Sequence, residues 1–256
     1  MKKFWGFLLV IVLMTSCGEY QSLLKSNDYN LVYKKAIEYY NKGDYQRAMN
    51  LLDGVRSVFV GQAKAQNIAY YRAFCSYNMK DYQIASDLFK QFIQTYPESS
   101  FAEECLYMMG FCDYKASPKP RLDQQVTEKA IREFQLYLSR YPYSMRKDKV
   151  NTYMDEMRDK LSYKAYLSAK NYYLREHYKA AVISLQNCLK DYPGSKYREE
   201  IMYMLFVSKY QMAVNSVEDK KVERYNNARE EYYYFADEYP NSRYAADVKK
   251  MYEDIE

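Results

Sequence analysis

The chain has 256 residues, 48% hydrophobic and 28% charged, with seven Gly and six Pro, a balance that excludes a disordered or collagen-like chain and favours a helix-rich globular one. Its net charge of +5, falling to +3 if Lys2 and Lys3 leave with a leader, comes from interleaved acids and bases such as Lys129-Ala130-Ile131-Arg132-Glu133. No basic stripe tracks a phosphate backbone, so no nucleic-acid partner is expected.

The chain opens with Met1-Lys2-Lys3 and an apolar run of eleven residues, Phe4 to Met14. A bilayer span needs about 20 residues, so the run reads as a secretory signal peptide over 1–16. It ends in Leu13-Met14-Thr15-Ser16-Cys17-Gly18, where a small residue directly before a Cys resembles a bacterial lipobox. That resemblance implies cleavage before Cys17 and lipidation of Cys17; an ordinary signal peptide with an unrelated Cys is the other reading. Several acyl chains hold a protein stably at a membrane where one is marginal. Residues 17–28 are then a lipidated N-terminus and tether. Similarity to Gram-negative lipoproteins, with no Asp straight after the Cys and Glu19 the only acid nearby, implies the periplasmic face of the outer membrane.

A repeated unit follows. Tyr33-Ile37-Tyr40, Tyr70-Phe74-Tyr77 and Tyr107-Phe111-Tyr114 are one pattern, and it returns as Tyr166-Lys170-Tyr173 and Tyr203-Val207-Tyr210. Spacing of i, i+4, i+7 places each trio on one helix face. The residue before the middle one is small in Ala36, Ala73, Gly110 and Ala169, with Phe206 the exception. Each second helix carries an Ala followed four residues on by a bulky side chain (Ala85/Phe89, Ala130/Phe134, Ala181/Leu185, Ala228/Tyr232) and closes on Tyr-Pro-x-Ser at Tyr96, Tyr141, Tyr192 and Tyr239. The Pro stops the helix and turns the preceding Tyr away from helical geometry. Repeats must be read first because they decide the fold. The prediction is all-α: a right-handed α-solenoid of about five helix-turn-helix repeats.

Repeats 1–3 occupy 29–146, a polar linker helix 147–160, and repeats 4–5 with a capping helix 161–256. Ser117-Pro118-Lys119-Pro120 interrupts repeat three, and a polar stretch from Asn215 to Val222 is expected to lie between the two helices of repeat five. Tyr244 to Ile255 suits the closing helix.

No catalytic constellation is present, and no enzyme is expected. His177 is the sole histidine, and the seven Gly form no phosphate loop. No metal or cofactor is expected beyond the lipid at Cys17. Glu103-Glu104, Glu199-Glu200 and Glu230-Glu231 are adjacent on helices, point apart, and read as solvated faces. Cys75, Cys105, Cys112 and Cys188 either pair in an oxidising compartment or act as small buried hydrophobes; Cys105 and Cys112, about 10 Å apart along one helix, are too distant for a bond.

The units resemble tetratricopeptide repeats. Ala73, Tyr82, Ala85, Phe89 and Pro97 carry the match in repeat two, and Ala169, Tyr172, Tyr178, Ala181, Leu185 and Pro193 carry it in repeat four. In repeat one it rests on Ala36, Tyr39, Gly43-Asp44-Tyr45, Ala48 and Leu52. With a lipobox, five repeats and an insertion in the third, the whole chain resembles the BamD family, lipoprotein subunits of the machinery that assembles outer-membrane β-barrels. The resemblance implies docking on the periplasmic domains of a BamA-like barrel protein, contact with other assembly lipoproteins, and receipt of unfolded outer-membrane precursors. It places the receiving surface on the first helices, here Tyr33, Tyr40, Tyr70, Phe74, Tyr77, Tyr107, Phe111 and Tyr114. The rings either line that groove or pack helix on helix. Repeat scaffolds of cell-wall synthesis or division, and SusD-type glycan capture, are the rival readings.

Overall fold

The computed structural model describes residues 18–255; the expected leader and the Cys17 lipidation site lie outside the described residues. Every regular element among the described residues is helical, and no described helix is long and apolar enough to cross a membrane. The helices pair as the repeats require. Repeat one is α1 (Tyr29–Asn41) and α2 (Tyr45–Val55), repeat two α3 (Ala63–Asn78) and α4 (Tyr82–Thr95), and repeat three α5 (Ala102–Ala116) and α6 (Gln125–Arg140). Repeat four is α7 (Lys147–Leu174) and α8 (Tyr178–Asp191), repeat five α9 (Arg198–Val214) and α10 (Glu218–Glu238), and α11 (Ala245–Glu253) closes the chain.

The chain forms two compact units. The first runs to Pro118 and adds Gln125–Asn151; the second comprises Lys119–Gln124 and Thr152 onward. Within the first, α2 packs on α1 and α3, and α5 packs on α4 and α6. Its core holds Leu51, Leu52, Ile68, Phe89, Phe92 and Phe134, all but withdrawn from solvent. In the second, Ala169, Ala181 and Leu185 form one cluster with Ile201 and Leu205, and Phe206, Phe235 and Val248 form another.

The turn inside a repeat is set by one left-handed residue. Gly43 (φ 80°), Lys80 (φ 67°) and Glu176 (φ 58°) occupy the same place, and their N–H groups reach Tyr40, Tyr77 and Tyr173 carbonyls at 2.9 Å. Glycine adopts that geometry freely, whereas a side chain is strained there. Glu176→Gly is therefore expected to stabilise by about 0.5–1 kcal/mol after glycine's extra chain entropy, raising Tm by about 2–3 °C in a circular-dichroism melt.

The turn between repeats explains Tyr-Pro-x-Ser. The Tyr leaves helical geometry at φ −129°, −133° and −131° (Tyr96, Tyr192, Tyr239). Each Ser N–H then returns to that Tyr carbonyl (3.0–3.1 Å), and each Ser Oγ accepts the N–H two residues on: Phe101, Arg146, Tyr197 and Tyr244 at 3.0–3.2 Å. One Ser ends a repeat and launches the next helix.

Small-against-bulky packing sets the helix spacing. Ala36, Ala73 and Ala169 are fully buried. At Gly110 an added Cβ would stand 2.9 Å from Cδ1 of the buried Phe134 ring. Gly110→Ala gains about 1 kcal/mol of helix propensity but overpacks the ring at about 1–3 kcal/mol. A net loss near 1 kcal/mol is expected in denaturant titration.

Three sequence expectations change. Residues 18–24, assigned to the tether, are helical and bury Tyr20 and Leu23 in the first core. The linker helix does not stop at 160: α7 runs unbroken into repeat four, with Val150, Met154 and Met157 buried along a stretch that reads as polar. Most of the polar stretch from Asn215 to Val222 is the first turns of α10, which starts at Glu218. The insertion in repeat three is a loop, closed at its base by the Ser117 and Thr127 hydroxyls, 2.6 Å apart. Its residues Lys119–Gln124 belong to the second unit, where Lys164 Nζ donates to the Leu122 carbonyl at 2.8 Å. All four described cysteines are free and buried.

Candidate peptide-docking face

α3 and α5 each present three rings on one face, and the ring sets meet. Tyr70 lies 4.6 Å from Phe74, Phe74 lies 6.3 Å from Tyr77, and Tyr77 reaches across to Phe111 at 6.2 Å. Phe111 stacks on Tyr107 at 5.7 Å and on Tyr114 at 5.9 Å. Six of the eight expected residues thus form one continuous aromatic surface in the first unit. Tyr33 and Tyr40 are attached differently. Tyr40 joins through Tyr71 (4.9 Å), which in turn touches Tyr70 at 5.5 Å, while Tyr33 packs on Phe59 at 6.1 Å.

Burial separates the rungs. Tyr107 is buried, and Tyr70, Phe74, Tyr77, Phe111 and Tyr114 are partly so. Beneath them lie the buried rings Phe89, 5.0 Å from Phe74, and Phe92, 6.4 Å from Tyr70. The rings form a wall: one side seals the core, the other meets solvent.

The first rung is also a joint between repeats. The residue two places after each Tyr-Pro-x-Ser serine covers it. Phe101 lies 4.6 Å from Tyr70, the Arg146 guanidinium 4.7 Å over Tyr107, Tyr197 4.4 Å from Tyr166 and Tyr244 4.0 Å from Tyr203. Sequence reasoning missed this platform, although an aromatic or Arg at that place in all four turns was the available signal. Tyr71 was missed because adjacent residues project to different faces of a helix.

The paired carboxylates are not merely solvated. Tyr70 donates to Glu104 at 2.8 Å and Tyr166 to Glu200 at 2.9 Å, each joining one repeat to the next. Tyr137 donates to Glu103 at 3.0 Å, and Lys209 pairs with Glu231 at 2.6 Å. Lys170, which replaces the middle ring of repeat four, takes Glu200 at 2.7 Å. Burial pushes the Tyr40 hydroxyl up to about 12, and burial with the Glu104 contact raises Tyr70 well above the usual tyrosine range. Both stay neutral at physiological pH, Tyr70 as a donor to Glu104 and Tyr40 as an acceptor from the Asn78 amide.

Beyond the joint rung, Phe74, Tyr77, Phe111 and Tyr114 pack on neighbouring rings and are only partly buried. They offer apolar faces with hydroxyls at the margin, a surface suited to aromatic side chains through offset and edge contacts. A cavity of about 670 Å³ lies elsewhere, along α7 in the second unit, lined by Arg121, Tyr163, Leu167 and Leu174. No group of His, Cys, Asp and Glu among the described residues is arranged to hold a metal ion.

A family model described as "YfiO: Outer membrane lipoprotein" matches residues 25–200 and again 165–256. No curated protein matches. Among solved structures, a tetratricopeptide-repeat protein from Bacteroides fragilis is similar at 12% identity and a TM-score of 0.42, covering 90% of this chain and 98% of that one. The TPR2AB-domain:pHSP90 complex of yeast Sti1 is similar at 14% identity and a TM-score of 0.40, covering 89% and 98%.

Proposed function

The chain belongs to the YfiO family of outer membrane lipoproteins, and on that premise we propose that it is a lipid-anchored periplasmic scaffold for β-barrel assembly. In this reading Cys17 carries the anchor, the repeats dock on the periplasmic domains of a BamA-like barrel protein beside other assembly lipoproteins, and unfolded precursors are received on the aromatic face. The observation that carries it is the ring surface running from Phe74 and Tyr77 to Phe111 and Tyr114, partly open and shared by two repeats. An extended precursor with alternating aromatic side chains finds several modest ring contacts there rather than one deep pocket. Such contacts suit handover, which requires release as well as capture.

The test is a mild-detergent pull-down of the tagged, lipidated protein. Stoichiometric recovery of a large outer-membrane barrel with repeated periplasmic domains is the expected result. Recovery of cell-wall enzymes or a sugar transporter with no such barrel overturns the assembly role and leaves a lipoprotein scaffold of another envelope machine.

A further inference from the structure

A cavity of about 430 Å³ opens in the first unit between the C-terminal end of α2, α3 and α4. Val60, Leu88, Phe92 and Tyr96 give it an apolar wall, and Arg56 and Arg72 give it charge. On α3 it borders Ala65 and Ala69, whose short side chains leave the space open.

Arg72 is the unusual residue. Two places after the first-rung Tyr, the repeats carry Lys35, Arg72, Met109, Ser168 and Leu205. Met109 and Leu205 are buried apolar side chains, whereas Arg72, only 8% exposed, puts a cation in the same place. Its Nε donates to Asp53 at 2.6 Å. Nη1 and Nη2 carry the remaining N–H groups, line the cavity, and donate to nothing among the described residues. Withdrawing such donors from water without partners is costly, and more so on a charged group. The exposed Arg56 side chain also makes no hydrogen bond or ion pair among the described residues.

The charge selects a ligand class. Two cations, Arg56 and Arg72, against the one anion Asp53 leave a single positive charge, the complement of a monoanion. A planar fork of two amino groups matches the paired oxygens of a carboxylate. A dianionic phosphate would keep one charge uncompensated. The apolar wall calls for more than a bare ion.

We propose that this cavity is a carboxylate-binding site, with Arg72 and Arg56 on the carboxylate and an apolar body against Leu88, Phe92 and Tyr96. A free organic acid and an acidic side chain of a partner polypeptide share that chemistry. The inference rests on this cavity and not on the assembly role, so either can fail alone.

The experiment uses the full lipidated chain in an uncharged detergent and reads binding by saturation-transfer NMR titration. Phenylpropionate, matched by the neutral phenylpropionamide, probes for a free acid. The blocked peptide acetyl-Leu-Glu-Leu-amide, matched by its Gln counterpart, probes for a side chain. At least one carboxylate is expected to bind about tenfold more tightly than its neutral match, and the one that does names the source. Arg56→Gln, at an exposed residue, is expected to weaken that binding about tenfold. Arg72→Met, the residue type of repeat three, is expected to abolish it with helicity and Tm held. Should Arg72→Met unfold, Arg56→Gln decides. Carboxylates that bind no better than their neutral matches overturn the proposal. So does binding that the variants leave intact, or inorganic phosphate competing as well as the acid.

Discussion

A Tyr77→Ala/Phe111→Ala variant is expected to bind a short peptide ending in Phe about a hundredfold more weakly than the parent, near 3 kcal/mol for two central rings. The two rings bridge α3 and α5 at 6.2 Å, so their removal opens the middle of the ring surface. Both are only partly buried, so the fold survives. We expect unchanged helicity at 25 °C and a Tm lower by about 5–10 °C. Fluorescence anisotropy with the Phe-ended peptide, against the same peptide ending in Ala, reads the affinity. Equal affinity of parent and variant would remove this face from the receiving role, and loss of helicity along with binding would return the rings to the core.

The second large effect concerns acidity. Asp113, nearly fully buried on α5, accepts Ser86 Oγ from α4 at 2.9 Å and pairs with Lys129 Nζ from α6 at 2.9 Å. Glu133, one turn beyond Lys129, is also buried and leaves Oε2 without a hydrogen-bond partner. Burial first, and then its hydrogen bond to Asp113, push the Glu133 carboxyl from its ordinary 4.5 up to about 8. Lys129 opposes that shift, and Asp87 lies 3.9 Å from the same ammonium. The sign follows directly. Between about 4.5 and about 8 the folded chain holds a proton that the unfolded chain releases, so stability falls as pH rises through that window. Glu133→Gln keeps a neutral donor toward Asp113 and removes the titration. At pH above 8 it is expected to exceed the parent by about 3 kcal/mol, about 6–12 °C in Tm, with a flatter profile of Tm against pH. Parallel profiles for parent and variant would refute this.

Much of the fold was legible because its signals recur. Four Tyr-Pro pairs fix helix ends, and five Tyr trios fix one face of each first helix. Ala36, Ala73, Gly110 and Ala169 mark the close approaches. Period and helix-breaking chemistry act locally, so one chain reports them. The missing features arise from partners distant in sequence. Lys129 and Glu133 read as surface charge because nothing nearby announces Asp113, which reaches them only when α5 lies beside α6. The polar appearance of 147–160 hid Val150, Met154 and Met157, whose spacing is helical but sparse. The serine of Tyr-Pro-x-Ser looked like part of a stop signal, and its role in starting the next helix depends on turn geometry. Of the eight candidate rings, the pattern identified the face, while only packing separated the joint rung from the open ones.

The buried thiols carry a temporal demand. Burial pushes Cys75 and Cys105 up to about 12 and Cys188 to about 11, and Cys112 is raised as well, so in the finished fold none is an appreciable thiolate. Such thiols neither attack a disulfide nor reach an oxidant. A newly translocated chain has no such shelter: in an oxidising compartment each sulfur is reactive until its helix pair has docked. Folding thus races mispairing. Contacts confined to neighbouring helices form quickly, so the repeat architecture itself sets how briefly the four sulfurs are exposed.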